Sequence, residues 1–245
     1  MMIRPFVLLL CLPLASMMQG PSGDEILMRV DKNMFSEQKI VESRMIIHGQ
    51  RDTRTVESKS WQRGTNESYT EFLAPAREKG TKMLKLKDML WEYSASTDRT
   101  IMISGHMLRQ SLMGSDLSYE DMMEDPHLPN IYSATISSSE VIEGRECWVL
   151  DLKAKKEDIA YDHRQAWVDK ERYLVLKENL YARSGKLLKT VDVREAMHVH
   201  NHWLAKSIIY RDVLKEGEGT EFHIDNITLD AEIPDYLFSK ASLRR

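Results

Sequence analysis

The feature that most constrains this fold is a long succession of short strand-like segments, separated by turn residues and not by helices. Within them apolar and polar residues alternate, which is the period of an extended chain. The predicted strands are 41–47, 53–63, 69–73, 83–86, 89–93, 99–104, 131–137, 147–153, 164–168, 173–182, 187–193, 203–214 and 220–229. Because no helices connect them, the pattern favours an antiparallel sheet or barrel over an α/β fold.

One amphipathic helix is predicted before the first strand. Ser22 and Glu25 have the spacing of a capping box, in which each side chain bonds the other residue's backbone N–H. The apolar residues that follow share one helical face: Ile26, Leu27, Val30 and Met34. That face must cover an apolar surface, which the predicted sheet provides.

The first residues have the composition of a secretory signal peptide. Arg4 precedes the apolar run 6–14, and small residues follow it. The run is about half of the ~20 residues that a transmembrane helix needs. Leu10 precedes Cys11 where a lipid-attachment site would need a small residue. We therefore expect residues 1–23 to be removed, with cleavage between 16 and 23, and residues 24–245 to form one unanchored domain.

Composition and motifs argue against several functions. Removal of the signal peptide leaves Cys147 as the only cysteine, so an intrachain disulfide and a cysteine zinc site are excluded. The net charge is −4 and no segment concentrates basic residues, so no nucleic-acid partner is expected. The sequence lacks GxSxG, HExxH, P-loop and GxGxxG motifs. We expect no catalytic residue and no cofactor.

Three alternating histidines allow a metal site as an alternative. His198, His200 and His202 would point the same way on a regular strand and could bind zinc. A hairpin turn is expected just before Trp203, however, and it would rotate the last ring away. The favoured interpretation is a strand end in solvent, without a metal.

Methionines concentrate in the middle of the chain. Seven of the 15 lie between Met83 and Met123, around the segment 105–129, which contains two glycines and two prolines. This segment is predicted to be irregular, with one short helix over 119–123. Flexible thioethers suit irregular apolar contacts. Two interpretations stay open: methionine as ordinary core filler, or a lid over an apolar cavity.

Several segments resemble one known family. They are YTEFLAPAREKGTKMLKLKDMLWEYSASTDRT (69–100), MGSDLSYEDMM (113–123) and the stretch from His202 to Phe238. Together they resemble the outer-membrane lipoprotein-sorting proteins, the LolA-like proteins of Gram-negative bacteria, over essentially the whole mature chain. LWEY (90–93) looks like the leucine–tryptophan–x–tyrosine hairpin of the lipoprotein carrier, with Ala95 where that hairpin has proline.

The resemblance implies an unclosed, strongly curved antiparallel β half-barrel whose open side is covered by a few helices. Between sheet and helices an apolar cavity takes acyl chains. Side chains that alternate along the strands would line it, and Trp91 and Tyr93 are expected to point inward with Glu92 opposite. The predicted lipid-binding residues are Met45, Ile47, Trp91, Tyr93, Met102, Met107, Leu112, Met113, Trp148 and Leu150.

The implied function is a periplasmic carrier that moves a lipid or lipoprotein between envelope membranes. Its expected partners are the acyl chains, an inner-membrane lipid exporter and an outer-membrane acceptor. An alternative from another class is a periplasmic sensor module that binds a membrane-anchored signalling partner. An enzyme is disfavoured because the sequence shows no polar triad for the cavity.

Overall fold

A computed structural model describes residues 20–49, 52–157 and 159–245, so the apolar run of the predicted signal peptide lies outside the described residues. Within them, thirteen strands form a single antiparallel sheet. In chain order these are β1 (Gln38–His48), β2 (Thr53–Arg63), β3 (Glu67–Ala74), β4 (Lys82–Leu86), β5 (Met89–Ser94), β6 (Arg99–Ile103), β7 (Tyr132–Ile142), β8 (Arg145–Ala154), β9 (His163–Asp169), β10 (Val175–Tyr181), β11 (Leu187–Val199), β12 (His202–Asp212) and β13 (Gly219–Leu229).

The sheet consists of two meanders joined along β1 and β13. Its spatial order is β6-β5-β4-β3-β2-β1-β13-β12-β11-β10-β9-β8-β7. In the central register Met45 lies opposite Phe222 on one side and Val56 on the other. The edges β6 and β7 do not pair, so the curved sheet stays open. The expected unclosed antiparallel half-barrel is confirmed.

The two unpaired edges follow one another in the chain. Residues 104–131, here called the connection, run from the end of β6 to the start of β7. The connection holds two 3₁₀-helices (Gly105–Arg109 and Leu112–Gly114) and two short helices, α2 (Tyr119–Met123) and α3 (Leu128–Ile131). The sequence predicted α2 but not α3, which lies at the boundary between the predicted irregular segment 105–129 and the predicted strand 131–137. Pro129 occupies an early helical position, where a missing N–H costs nothing.

The predicted N-terminal helix, α1, spans Gly23–Met34. The capping box forms as expected: Ser22 Oγ accepts from the Glu25 backbone N–H at 3.2 Å, and Glu25 accepts from the Ser22 N–H at 2.7 Å. α1 packs close to β7, since a Cβ at Gly23 would lie 2.4 Å from the Ala134 carbonyl oxygen. We call the face of the sheet beneath α1 and the connection the inner face.

The opposite, outer face carries the C-terminus over strands β3 to β5. Two 3₁₀-helices (Asp235–Phe238 and Lys240–Arg244) lie there. They bury an apolar cluster formed by Tyr69, Leu84, Trp91, Ile233, Leu237, Phe238 and Leu243. Both faces of the sheet are therefore covered locally, which matters for the predicted lining residues.

Candidate functional site

A cavity opens between the inner face, the end of α1 and the connection. It comprises two adjoining pockets of about 330 and 420 Å³, which share lining residues such as Val41, Tyr210 and Phe222. These volumes lie in the range of small-molecule binding sites. Strand residues of one parity face the cavity, so the alternation of the sheet decides its lining.

Most of the cavity wall is apolar. The smaller pocket contains Met45, Phe72, Leu112, Leu117 and Met122. The larger pocket extends towards α1 and is lined by aliphatic side chains of the second meander: Leu174, Val175, Val191, Val193, Leu204, Ile208, Ile224 and Ile227. These side chains offer a largely aliphatic surface for a hydrocarbon chain.

Charged side chains lie where the two pockets meet. Arg164, on β9, is only 4% exposed and forms an ion pair with Glu124 of the connection. Its Nη1 lies 3.7 Å from Glu178 Oε1 on β10. Its guanidinium also lies over the rings of Tyr132 and Tyr161, at 5.0 and 5.2 Å. Burial raises the pKa of the Glu178 carboxyl, and the nearby Arg164 only partly offsets this.

A second charged pair fastens α2 to the sheet. Lys189 on β11 bonds the Asp121 carboxylate, which also accepts from the Tyr161 hydroxyl at 2.6 Å and the Ser118 backbone N–H at 2.6 Å. Burial alone would raise the pKa of Asp121, but Lys189 and these hydrogen bonds outweigh it. The pKa of Asp121 therefore lies below its ordinary value.

The connection also bonds the first meander through polar side chains. Tyr119 donates to Glu92 Oε2 of β5 at 2.6 Å, and the Lys85 ammonium donates to the Met123 carbonyl at 3.2 Å. Burial lowers the pKa of Lys85. The cover of the cavity is thus attached to both meanders largely by hydrogen bonds and ion pairs.

Five of the predicted lining residues meet in one inner-face cluster. Met45, Ile47 and Leu112 are buried there, and Met107 and Met113 pack against them. Of these five, Met45 and Leu112 line the pockets just described, and the other three lie in the apolar packing beside them.

The inward orientation predicted for Trp91 and Tyr93 is wrong. The two rings do lie opposite Glu92, but Glu92 faces the connection, so the rings point to the outer face. There the ammonium of Lys240 lies 4.2 Å from the centre of the Trp91 ring. Met102 is paired with Trp91, shares its face and is 51% exposed. Alternation identified two faces correctly but could not tell which one the connection would cover.

Trp148 and Leu150 lie on the inner face but outside the two pockets. Leu150 is fully buried in the cluster beneath α1, beside Ile26 and Leu27, and Trp148 packs at its border. The Trp148 ring lies 5.6 Å from that of Tyr173. α1 occupies the space above them, so these residues form core and not cavity wall.

The three histidines separate at a turn. β11 ends at Val199, and His200 adopts a positive φ of 51° in the turn. The His198 ring lies 4.9 Å from the Trp203 ring, whereas His202 Nδ1 contacts the Asn33 carbonyl oxygen at 2.7 Å. In residues 20–49, 52–157 and 159–245, no group of three or more His, Cys, Asp or Glu could hold a metal ion.

The charged groups of the cavity were missed from the sequence. Arg164 shares its strand face with Ala166 and Val168, which are buried on the inner face, so parity alone places it inside. The alternation along β9 is therefore enough to predict from the sequence that Arg164 lies on the inner face. Its partners Glu124 and Glu178 come from other elements, and nothing in local sequence indicates that the three side chains meet.

The chain matches the model of one protein family, whose description is "uncharacterized protein". The match covers residues 64–245, about three quarters of the chain. No curated protein matches the sequence. None of the helices in the described part of the chain combines the length and apolar character needed to cross a membrane.

Three solved structures share the architecture over nearly their whole length. A DUF1329 family protein from Desulfovibrio piger is 24% identical, covers 90% of this chain and 97% of its own, and has a TM-score of 0.82. An outer membrane lipoprotein-sorting protein domain from Vibrio parahaemolyticus is 22% identical, covers 91% of this chain and 98% of its own, and has a TM-score of 0.80. The LolA superfamily protein NE2245 from Nitrosomonas europaea is 23% identical, covers 91% of this chain and 100% of its own, and has a TM-score of 0.74.

Proposed function

The chain belongs to a family of uncharacterized proteins and has the fold of the LolA superfamily, and from this we propose that it is a carrier for acyl chains. It binds the chains of a lipid or lipoprotein in the inner-face cavity and moves them between two envelope membranes. The observation that carries this proposal is the set of eight aliphatic side chains of the second meander that line the larger pocket.

The energetics favour binding without a covalent step. Each buried methylene contributes about 0.8 kcal/mol, so one acyl chain along this wall can be held tightly and still exchange. The function proposed is therefore binding and not catalysis. Exchange requires the connection to move or a competing apolar surface to receive the chain.

The proposed setting is the periplasm. The chain is exported by a signal peptide within residues 1–23. Cleavage ahead of Ser22, inside the expected window 16–23, keeps the capping box of α1, and the remaining residues act as one domain. An inner-membrane lipid exporter would supply the cargo and an outer-membrane acceptor would receive it. Lipid and lipoprotein share the acyl chemistry that the cavity fits.

Two neighbouring isoleucines on β12 offer a matched test. Ile208 lines the larger pocket, whereas Ile209, which is also half-buried, lies on the outer face near His48. We expect Ile208→Asp to abolish binding of a fluorescent fatty-acyl probe, because a carboxylate would enter the apolar wall. Ile209→Asp should bind the probe like the parent protein.

The readouts are probe titration and circular dichroism, with native mass spectrometry for co-purified lipid. Failure of the parent protein to bind the acyl probe would contradict the carrier proposal. Equal loss of binding in both folded variants would place the ligand elsewhere.

A further inference from the structure

We propose that Arg164 and Glu178 form a head-group site inside the cavity, which selects a neutral polar group able to donate and accept hydrogen bonds. The hydroxyls of a monoacylglycerol and the amide of a fatty amide have this chemistry. The inference rests on the proposed carrier function and adds the class of head group that the cavity takes.

Two buried polar atoms at this point have no hydrogen-bond partner. They are Nε of Arg164 and Oε1 of Glu178. The 3.7 Å between Glu178 Oε1 and Arg164 Nη1 suits an ion pair but is too long for a good hydrogen bond. Both side chains line both pockets. Unpaired polar atoms in a buried site are costly, so a ligand that pairs with them gains affinity.

The surrounding charges disfavour a charged head group. Arg164 is already paired with Glu124, and Lys189 is paired with Asp121. A phosphate or carboxylate entering here would face three acidic side chains, those of Glu124, Asp121 and Glu178. An ammonium would instead face Arg164 and Lys189. A neutral group avoids both repulsions, and burial of Glu178 acts in the same direction because it favours the neutral carboxyl.

A hydroxyl or amide also matches both unpaired atoms. The Arg164 Nε–H can only donate, so the ligand must accept there. Glu178 accepts when ionised and can also donate when protonated, and a hydroxyl serves either state. The acyl chain would then extend from this point along Val191, Ile208 and Ile224 of the larger pocket.

The test compares palmitoyl ligands that differ only in the head group. 1-Palmitoylglycerol, palmitamide, palmitate and palmitoyl lysophosphatidate each compete with the fluorescent acyl probe at pH 7. We expect the two neutral ligands to bind about tenfold more tightly than the two anions, which corresponds to one well-made hydrogen-bonding contact.

Two variants of Glu178 separate recognition from folding. Glu178→Leu should keep probe binding but lose most of the preference for neutral heads. Glu178→Gln keeps the shape, and its amide can donate to a carboxylate, so the gap between palmitamide and palmitate should narrow. Glu195→Gln, an exposed carboxylate of β11 paired with Lys206, is the control and should change nothing.

The outcomes distinguish this inference from the carrier proposal. Probe binding by the parent protein with equal affinity for all four ligands would overturn the head-group site and leave the carrier intact. Tighter binding of the anions would overturn it as well. Absence of probe binding would contradict both.

Discussion

The inner face of the sheet has two covers of different construction. α1 lies over the second meander and buries Leu150, Leu152 and Val168 completely. The connection crosses from the first meander to the second and is attached to both, and it leaves pockets and charged groups between itself and the sheet. One cover forms dry core and the other encloses a cavity.

The difference follows from the length of regular helix in each cover. α1 has 12 residues, so it presents a continuous apolar stripe. α2 has 5 residues, and the backbone beside it turns through positive φ at Met113 and Gly114. Such short pieces cannot present a stripe, so individual polar side chains such as Asp121 and Glu124 attach them. The gaps between those attachments become the cavity.

The largest expected effect lies beneath α1. Leu150→Ala removes a fully buried side chain from the tightly packed cover, which should lower the free energy of unfolding by about 2–5 kcal/mol. Urea unfolding followed by circular dichroism measures this loss. Val141→Ala, at a position 65% exposed on the neighbouring edge strand, is the control and should stay within about 0.5 kcal/mol. If Leu150→Ala changed the free energy of unfolding as little as the control does, the packing beneath α1 would not be tight.

The next effect concerns the charged attachment of α2. Asp121→Asn should lower the free energy of unfolding by about 1–3 kcal/mol at pH 7, because it leaves the buried Lys189 without its counter-ion. It should also speed exchange of the acyl probe, since the connection loosens.

The pH dependence gives this prediction a sign. The folded-state pKa of Asp121 lies below the ordinary value of 3.8, so the stabilising contribution is present above that pH. It is lost as the pH falls through the folded-state pKa, where the parent protein and Asp121→Asn should converge. Urea unfolding at pH 7 and at acid pH checks this. A deficit that is constant with pH would show that packing, and not charge, holds α2.

The sequence predicted the helix and the strands correctly, but it did not predict which face of each strand would be covered. Strand alternation and the Ser22–Glu25 capping box are local signals, and the structure has both. Orientation of a strand is a tertiary property, because alternation defines two faces without saying which will be covered. The face of β5 that carries Trp91 packs against the C-terminal 3₁₀-helices, which lie far away in sequence.

The charged groups illustrate a second limit. Arg164 could have been placed inside from its parity with Ala166 and Val168. Its pairing with Glu124 depends on how the connection crosses from one sheet edge to the other, over residues that carry no regular period. The face on which a charged strand residue lies can therefore be predicted from the sequence, whereas its ion-pair partner on an irregular segment cannot.

The smallest expected effect contrasts two methionines that the sequence placed in the same site. Met45 is 4% exposed and lines the cavity, whereas Met102 is 51% exposed on the outer face. We expect Met45→Ala to change the affinity for the acyl probe, because it alters the wall that the chain contacts. Met102→Ala should leave probe affinity unchanged and shift the free energy of unfolding by no more than about 0.5 kcal/mol. Probe titration and urea unfolding of both variants decide this. Weakened probe binding in Met102→Ala alone would place the ligand on the outer face, beside Trp91. The comparison of the two covers would then be wrong, because it assigns the ligand to the inner face.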